Sequence, residues 1–326
     1  MKILVVGTGS IGTRHIKNLY ELGHEIFAVD TNVENLKQVL SLTKNSYNSL
    51  EEALKGKPDA AFICTYSNDH MRPALKCAEA GCHLFIEKPL STSLEGIQEL
   101  LDIAESKKLI TMVGCNMRFH PAVSYIHKQI KSNRYFTKPL WGNFETGYFL
   151  PFDKEDYQKS YKANRSMGGN LILDAIHELD YAIWFLGEPQ EVICSKGIIS
   201  SLKIDTEDHV EMIVKFRSGA VCTMHMDYLQ HGYSRRCKIV CEEGTVVWDF
   251  VGGSIGSVTV QDGKWAWKDM KVDISYNQMY IDEARYFMDC VSAGRATFNS
   301  IRESMQSLKL ALAADRSSST NQWEKV

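Results

Sequence analysis

The chain has 326 residues, with 37 Lys and Arg against 40 Asp and Glu, a formal charge of -3 and 44% hydrophobic residues. This excludes a disordered chain, which would carry fewer apolar residues or more net charge. It also disfavours nucleic acid as a partner bound through bulk positive charge. No apolar run approaches the roughly 20 residues that span a bilayer, so no membrane association is expected. Met1-Lys2 leads straight into a strand-like run, so no signal peptide is expected. Nine scattered cysteines without a Cys-x-x-Cys pair point to free thiols in a reducing cytoplasm. At roughly 150 residues per domain, the length suggests about two domains.

The first third alternates apolar runs with helix-like stretches. Ile3–Val6, Glu25–Asp30, Ala60–Cys64, His83–Glu87 and Leu109–Gly114 read as strands. Between them, Ile11–Leu22, Asn32–Leu42, Ser49–Lys55, Asn68–Ala80 and Ser93–Ser106 read as helices, with Gly23 and Gly81 as stops. Ser49 and Glu52 have the spacing of a capping box. Continuous apolar strands alternating with helices imply a parallel sheet covered on both faces.

After about residue 118 the rhythm changes. A helix is expected over Pro121–Lys131, a strand over Leu140–Phe149, an irregular polar stretch over 151–167 and a helix over Asn170–Leu186. Hairpins follow, turning at Ser218-Gly219, Glu243-Gly244 and Asp262-Gly263. Two helices, Gln278–Ser292 and Ser300–Arg316, precede a polar tail expected to fray. The fold class is therefore α/β. An N-terminal doubly wound parallel sheet of the Rossmann kind (1–118) precedes an α+β domain with a mainly antiparallel open sheet (119–326). The terminal helices are free to pack back on the first domain.

Gly7-Thr-Gly9-Ser10-Ile11-Gly12 fits Gly-x-Gly-x-x-Gly, directly after a strand and at the start of a helix. Gly7 permits the tight turn, Gly9 admits a pyrophosphate, and Gly12 lets helix and strand pack closely. The helix N-terminus, from Ser10 and Ile11 onward, offers N–H groups and partial positive charge to an anion. Asp30, ending the next strand, is placed to accept adenosine ribose hydroxyls and to repel a 2′-phosphate. Residues 31 to 33 hold no arginine for that phosphate, so NAD is preferred over NADP.

Lys88 follows a parallel strand at its carboxyl end, where ligands of open α/β sheets bind. Glu87 and Lys88 point to opposite faces, so Glu87 need not neutralise Lys88. A cis peptide before Pro89 is one option. On the helix after Gly168-Gly169, Asp174 and His177 would lie about 60° apart. His177 suits a general base that accepts a hydroxyl proton near neutral pH. With no clustered Cys/His ligand set in the sequence, no metal is expected.

These residues resemble the Gfo/Idh/MocA oxidoreductases, the family of glucose-fructose oxidoreductase and inositol dehydrogenase. The resemblance is carried by Gly7–Gly12, Phe62–Thr65 with Asn68 and His70, and Glu87-Lys88-Pro89. It continues through Val113–Pro121 (including Asn116 and Arg118), Gly168–Asp174, His177–Asp180 and Tyr280–Glu283, and so spans the chain. It implies Lys88 as the lysine that positions substrate and relays protons, His177 as the acid-base residue and Asp174 as companion acid. It also implies cofactor contacts from Thr65, Asn68, His70, Glu87 and Lys88, and an open sheet that mediates a homodimer or homotetramer. The family separates that acid and histidine by four positions, whereas here the gap is three. Asn116, Arg118, Lys162 and Arg165 fall in segments that approach the family's substrate pocket. Their charges motivate an anionic substrate such as a sugar acid or nucleotide sugar.

The leading reading is hydride transfer between a sugar-like or cyclitol hydroxyl and nicotinamide. A second keeps NAD bound and uses transient oxidation for epimerisation, elimination or glycoside cleavage. Net NADH accumulation separates the two. A third is a non-catalytic dinucleotide sensor, which would retain full function without Lys88 and His177.

Overall fold

The fold is that of a computed structural model, which describes residues 1–132, 135–153, 156–261, 264–272 and 275–326. In the amino-terminal region the expected runs form β1 (Lys2–Val6), β2 (Glu25–Val29), β4 (Ala60–Ile63), β5 (His83–Glu87) and β6 (Thr111–Gly114). A further strand, β3 (Asn45–Tyr47), has no apolar run to announce it. The six pair in parallel in the order β3-β2-β1-β4-β5-β6. Helices α1 (Ser10–Glu21), α2 (Val33–Lys37), α3 (Leu50–Leu54), α4 (Met71–Glu79) and α5 (Ile97–Ser106) connect them. The second helix is shorter than the expected Asn32–Leu42. Asn32 caps it, and the chain then turns to Thr43, whose hydroxyl donates to the Ile26 carbonyl at 2.5 Å. Ser49 caps α3 by accepting from the Glu52 N–H. The central strands have no exposed side, which is why they read as continuous apolar runs.

The second region contains α6 (Pro121–Ser132), β7 (Pro139–Gly147), α7 (Leu150–Asp153), α8 (Leu171–Asp174) and α9 (Ile176–Leu186). Strands β8 (Pro189–Gly197), β9 (His209–Phe216), β10 (Val221–Asp227), β11 (Ser234–Cys241) and β12 (Gly244–Asp249) follow, then β13 (Ser254–Gln261) and β14 (Lys264–Lys271). With the closing strand β15 (Glu324–Lys325) they form one sheet, ordered β14-β13-β12-β11-β7-β10-β9-β8-β15. Its described ladders are antiparallel except for β7 with β10. The turn expected at Asp262-Gly263 lies outside the described residues. Alternation along β7, β9 and β10 buries Phe144, Val210, Met212, Met224 and Met226 on the face covered by α8 and α9. Trp141 and Ile213 stay exposed on the other.

Two expectations for this region fail. The helix expected over Asn170–Leu186 is two helices, because Ala175 at φ -87°, ψ 24° leaves the helical range between α8 and α9. The tail does not fray. Ser317 is fully buried, and its hydroxyl receives the Cys194 N–H at 3.0 Å and donates to the Gln322 carbonyl at 2.5 Å. The chain then adds β15 beside β8.

Two further helices, α10 (Tyr276–Ala293) and α11 (Ile301–Thr320), come late in the chain. The described chain divides into two compact units, Met1–Asn116 with Ser275–Met305 and Met117–Ile274 with Gln306–Val326. Within the first unit, Asn277 of α10 exchanges amide hydrogen bonds with Asn18 of α1, and the Asn299 amide donates to the Val113 carbonyl at 2.8 Å.

Candidate active site

In the first unit the glycine turn is held from both sides. Gly7 takes φ +91° and donates its N–H to the Val29 carbonyl at 2.8 Å. A Cβ on Gly12 would lie 1.8 Å from the Gly7 carbonyl oxygen, so only glycine fits. A Cβ on Gly9 would meet nothing within 4 Å, which leaves open space over the turn. Helix α1 starts there with no side-chain cap and no acid in its first turn. Its orphan N–H groups and positive dipole end remain available to an anion. An open cleft of about 640 Å³ continues from Gly9 and Ser10 along α1, past Arg14 and Lys17 to Asn35 and Asn277.

Asp30 sits beside this turn. Its Oδ2 accepts the Thr8 N–H at 2.7 Å, the Thr8 hydroxyl at 3.1 Å and the Asn35 amide at 3.1 Å. Its Oδ1 accepts the Asn32 N–H at 2.8 Å. A carboxylate offers about four acceptor directions, so Oδ1 keeps one for an incoming hydroxyl. Free helix N–H groups, open space over Gly9 and a fixed carboxylate together fit the pyrophosphate and ribose of a dinucleotide.

Beyond β4, the Thr65 hydroxyl donates to the Asp69 carbonyl at 3.0 Å, and Asn68 lies exposed in the short turn Ser67–Asp69. His70 is buried, with its ring nitrogens 2.9 Å from the Pro89 carbonyl and 3.1 Å from that of Thr65. It braces the Thr65 loop against the turn after Lys88, and burial lowers its pKa. Lys88 is half-buried, and the Lys88–Pro89 bond is cis. Glu87 is buried, with Oε1 2.6 Å from His15 Nε2 and Oε2 accepting the Lys88 N–H at 3.1 Å. Sequence reading missed His15. Its signal was a histidine on the inward face of α1, three residues after Gly12. Asn116 is buried, and its amide nitrogen has no hydrogen-bond partner among the described residues, as a donor reserved for a ligand would.

In the second unit Asp174 ends α8 and gathers phenols. It receives the hydroxyls of Tyr161 at 2.5 Å, Tyr148 at 2.9 Å and Tyr228 at 3.3 Å. Burial, then the charge of Asp174, pushes the Tyr148 and Tyr228 hydroxyls well above the ordinary phenol pKa, so both stay donors. Lys162 lies 2.9 Å from Asp153 Oδ2 and 3.8 Å from Asp174 Oδ2, with its ammonium 4.6 Å from the centre of the Tyr148 ring. The three tyrosines were not foreseen.

His177 is the second residue of α9 and is buried. The acids beside it are committed elsewhere. Glu178 pairs with Arg235 at 2.8 Å and accepts the Tyr181 hydroxyl at 2.9 Å, and burial raises its pKa. Asp180 takes Arg118 in a bidentate pair at 2.8 Å, buried against Trp184. Arg165 is also engaged, donating to the Asp205 carbonyl at 2.7 Å and to Glu207 at 2.9 Å. Of the cations expected at the substrate, Lys162 is the one placed beside Asp174.

These features define a dinucleotide-binding unit joined to an α+β unit with a polar, tyrosine-rich cluster. The family model described as an oxidoreductase family with an NAD-binding Rossmann fold matches residues 1–115, and the Gfo/Idh/MocA C-terminal domain matches residues 128–247. The chain belongs to the Gfo/Idh/MocA oxidoreductases. It is 25% identical over 333 residues to myo-inositol 2-dehydrogenase of Thermotoga maritima, covering 97% of this chain and 96% of that protein. It is 26% identical over 312 residues to 4-carboxy-2-hydroxymuconate-6-semialdehyde dehydrogenase of a Sphingobium species, covering 92% and 93%. Levoglucosan dehydrogenase in complex with NADH has the same fold, with a TM-score of 0.91 at 20% identity over 100% of this chain and 99% of that one.

Proposed function

We propose that this protein is an NAD-dependent dehydrogenase that oxidises a CH–OH group of a sugar, cyclitol or related derivative. The observation that carries this is the cradle in the first unit: uncapped helix N–H groups, open space over Gly9 and Asp30 fixed beside them. NAD held in this cradle would supply the hydride acceptor through its nicotinamide. In this reading Lys88 would polarise the hydroxyl oxygen, and His177 would receive its proton. Asp174 holds the Tyr148, Tyr161 and Tyr228 hydroxyls in one arrangement beside Lys162 and so shapes the wall that meets a polyhydroxylated substrate.

NAD is preferred over NADP because Asp30 repels a 2′-phosphate. An acidic group on the substrate is read by Lys162. The exposed face of the second sheet, with Trp141 and Ile213, supports a homodimer or homotetramer. All nine thiols are free, which supports a cytoplasmic setting, and no described helix is long and apolar enough to cross a membrane.

The test is a panel of sugars, cyclitols, sugar acids and nucleotide sugars, followed by the absorbance of reduced nicotinamide. NADH accumulation with at least one of them, lost in His177→Ala, is the expected result. Product without net NADH would replace this reading by transient oxidation. Full function in both Lys88→Ala and His177→Ala would replace it by a sensor.

A further inference from the structure

On the face of the second sheet opposite α9, the β9–β10 ladder sets Glu211 across from His225 and His209 across from Asp227. Residues two apart on a strand share a face, so these four side chains form a square on one surface. The ligand-capable atoms of His209, Glu211 and His225 all lie within 4.8 Å of one another.

One corner is fixed from below. The Asp227 side chain is 6% exposed, and its Oδ1 accepts the N–H groups of Leu229 and Gln230, each at 2.7 Å. Its Oδ2 lies over Gly147, where a Cβ would approach it to 2.3 Å, and sits 2.8 Å from His225 Nε2. A carboxylate has no proton to give, so Nε2 is the donor there. In a neutral imidazole the Nδ1 lone pair then points at Glu211 Oε1, 2.6 Å away. Two lone pairs at that separation need a cation between them. A proton on Nδ1, making His225 an imidazolium between two carboxylates, serves those two atoms, whereas a metal ion would also engage His209. His209 Nε2 stands 3.7 Å from the same Glu211 oxygen. A metal ion uses all three.

We propose that the β9–β10 hairpin binds one divalent ion of the zinc class through His209 Nε2, His225 Nδ1 and Glu211 Oε1. Two imidazoles and one carboxylate suit zinc, cobalt or nickel, whereas magnesium and calcium take oxygen ligands. Three protein ligands leave further positions to water. Asp227 is the outer carboxylate that orients the ligating imidazole and fixes its tautomer. Ligands about 2.0–2.2 Å from zinc need more room than the present contact between His225 and Glu211. Glu211 is half exposed and can swing outward to give it. The ion would pin the end of β10, from which the next residue, Tyr228, reaches Asp174. The site uses none of Lys88, Asp174 or His177, and it stands whether or not the dehydrogenase reading does.

The experiment is titration of chelator-treated full-length protein with Co²⁺, followed by its visible d–d absorption and then by displacement with Zn²⁺. One equivalent per chain is expected, with zinc raising the thermal midpoint. His209→Gln and His225→Ala should each weaken binding by at least the ~10–100-fold that loss of an outer-shell partner costs. His209→Gln is the milder variant, since His209 stands 3.7 Å from Glu211 whereas His225 bonds two carboxylates, and circular dichroism verifies its fold. Absence of the cobalt spectrum together with no heat of zinc binding overturns the proposal. So does cobalt binding that is undiminished in folded His209→Gln.

Discussion

In the first unit, the features that fit a ligand belong to the backbone and to one carboxylate. They are the Gly7 turn, the close approach at Gly12, the uncapped start of α1 and Asp30. In the second unit the chemistry rests on side chains carried by separate elements. Tyr148 follows β7, Tyr161 lies in an irregular segment and Tyr228 follows β10, and all three donate to Asp174 at the end of α8. A turn that must admit a phosphate tolerates few residues. A cluster that must face a substrate can be assembled in many ways. On the proposed reading, the first unit would hold the cofactor and the side chains of the second would meet the substrate.

Substitutions that separate the units can break this comparison. The largest effect is expected from Gly12→Val, whose Cβ has no room against Gly7. NAD binding should vanish by calorimetry. Tight NAD binding by a folded variant would show that the turn is not the cradle. Next, His177→Ala should lower turnover about 10²–10⁴-fold, the range for removing a general acid-base group, with NAD affinity unchanged. A parallel loss of NAD affinity would erase the division of labour.

Smaller effects sharpen it. Tyr161→Phe removes one of three donors to a part-buried carboxylate, a change of about 1–3 kcal/mol. It should raise KM for the substrate and leave the Kd for NAD as it was, and an unaltered KM would detach the tyrosine cluster from substrate recognition. Asp30→Ser should narrow the preference for NAD over NADP roughly tenfold, about 1.4 kcal/mol. An unaltered preference would put the discrimination elsewhere.

The smallest effect concerns acid stability. Burial, then the charge of Arg235, lowers the His120 pKa to about 4. Its folded pKa lies below that of a free histidine at about 6.5, so between those values the unfolded chain binds the extra proton. Stability present above pH 6.5 is therefore lost as pH falls towards 4. His120 accepts the Ala122 N–H through Nδ1, a role Asn can copy. His120→Asn should show a shallower fall in Tm between neutral pH and pH 5, and an equal fall would remove His120 as the cause.

Sequence reading reached furthest where structure is local. Gly7 to Gly12, Asp30 and the Lys88 strand end lie at the ends of strands within βα units, and turn chemistry together with strand-end position marks them. It reached least where partners are remote. Tyr228 is 54 positions from Asp174, and His15 is 72 from Glu87. No periodicity joins them. The break at Ala175 escaped notice because alanine favours helix, and nothing in the sequence marks the departure of its backbone from the helical range. The tail looked unstructured because its polar residues pair with β8 and Ser317, contacts that composition does not carry.

The most direct test is a calorimetric titration of the purified protein with NAD and, separately, NADP. Saturable one-to-one binding of NAD, at least ~10-fold tighter than NADP and lost in Gly12→Val, is the predicted result. No measurable heat with either nucleotide would contradict the account.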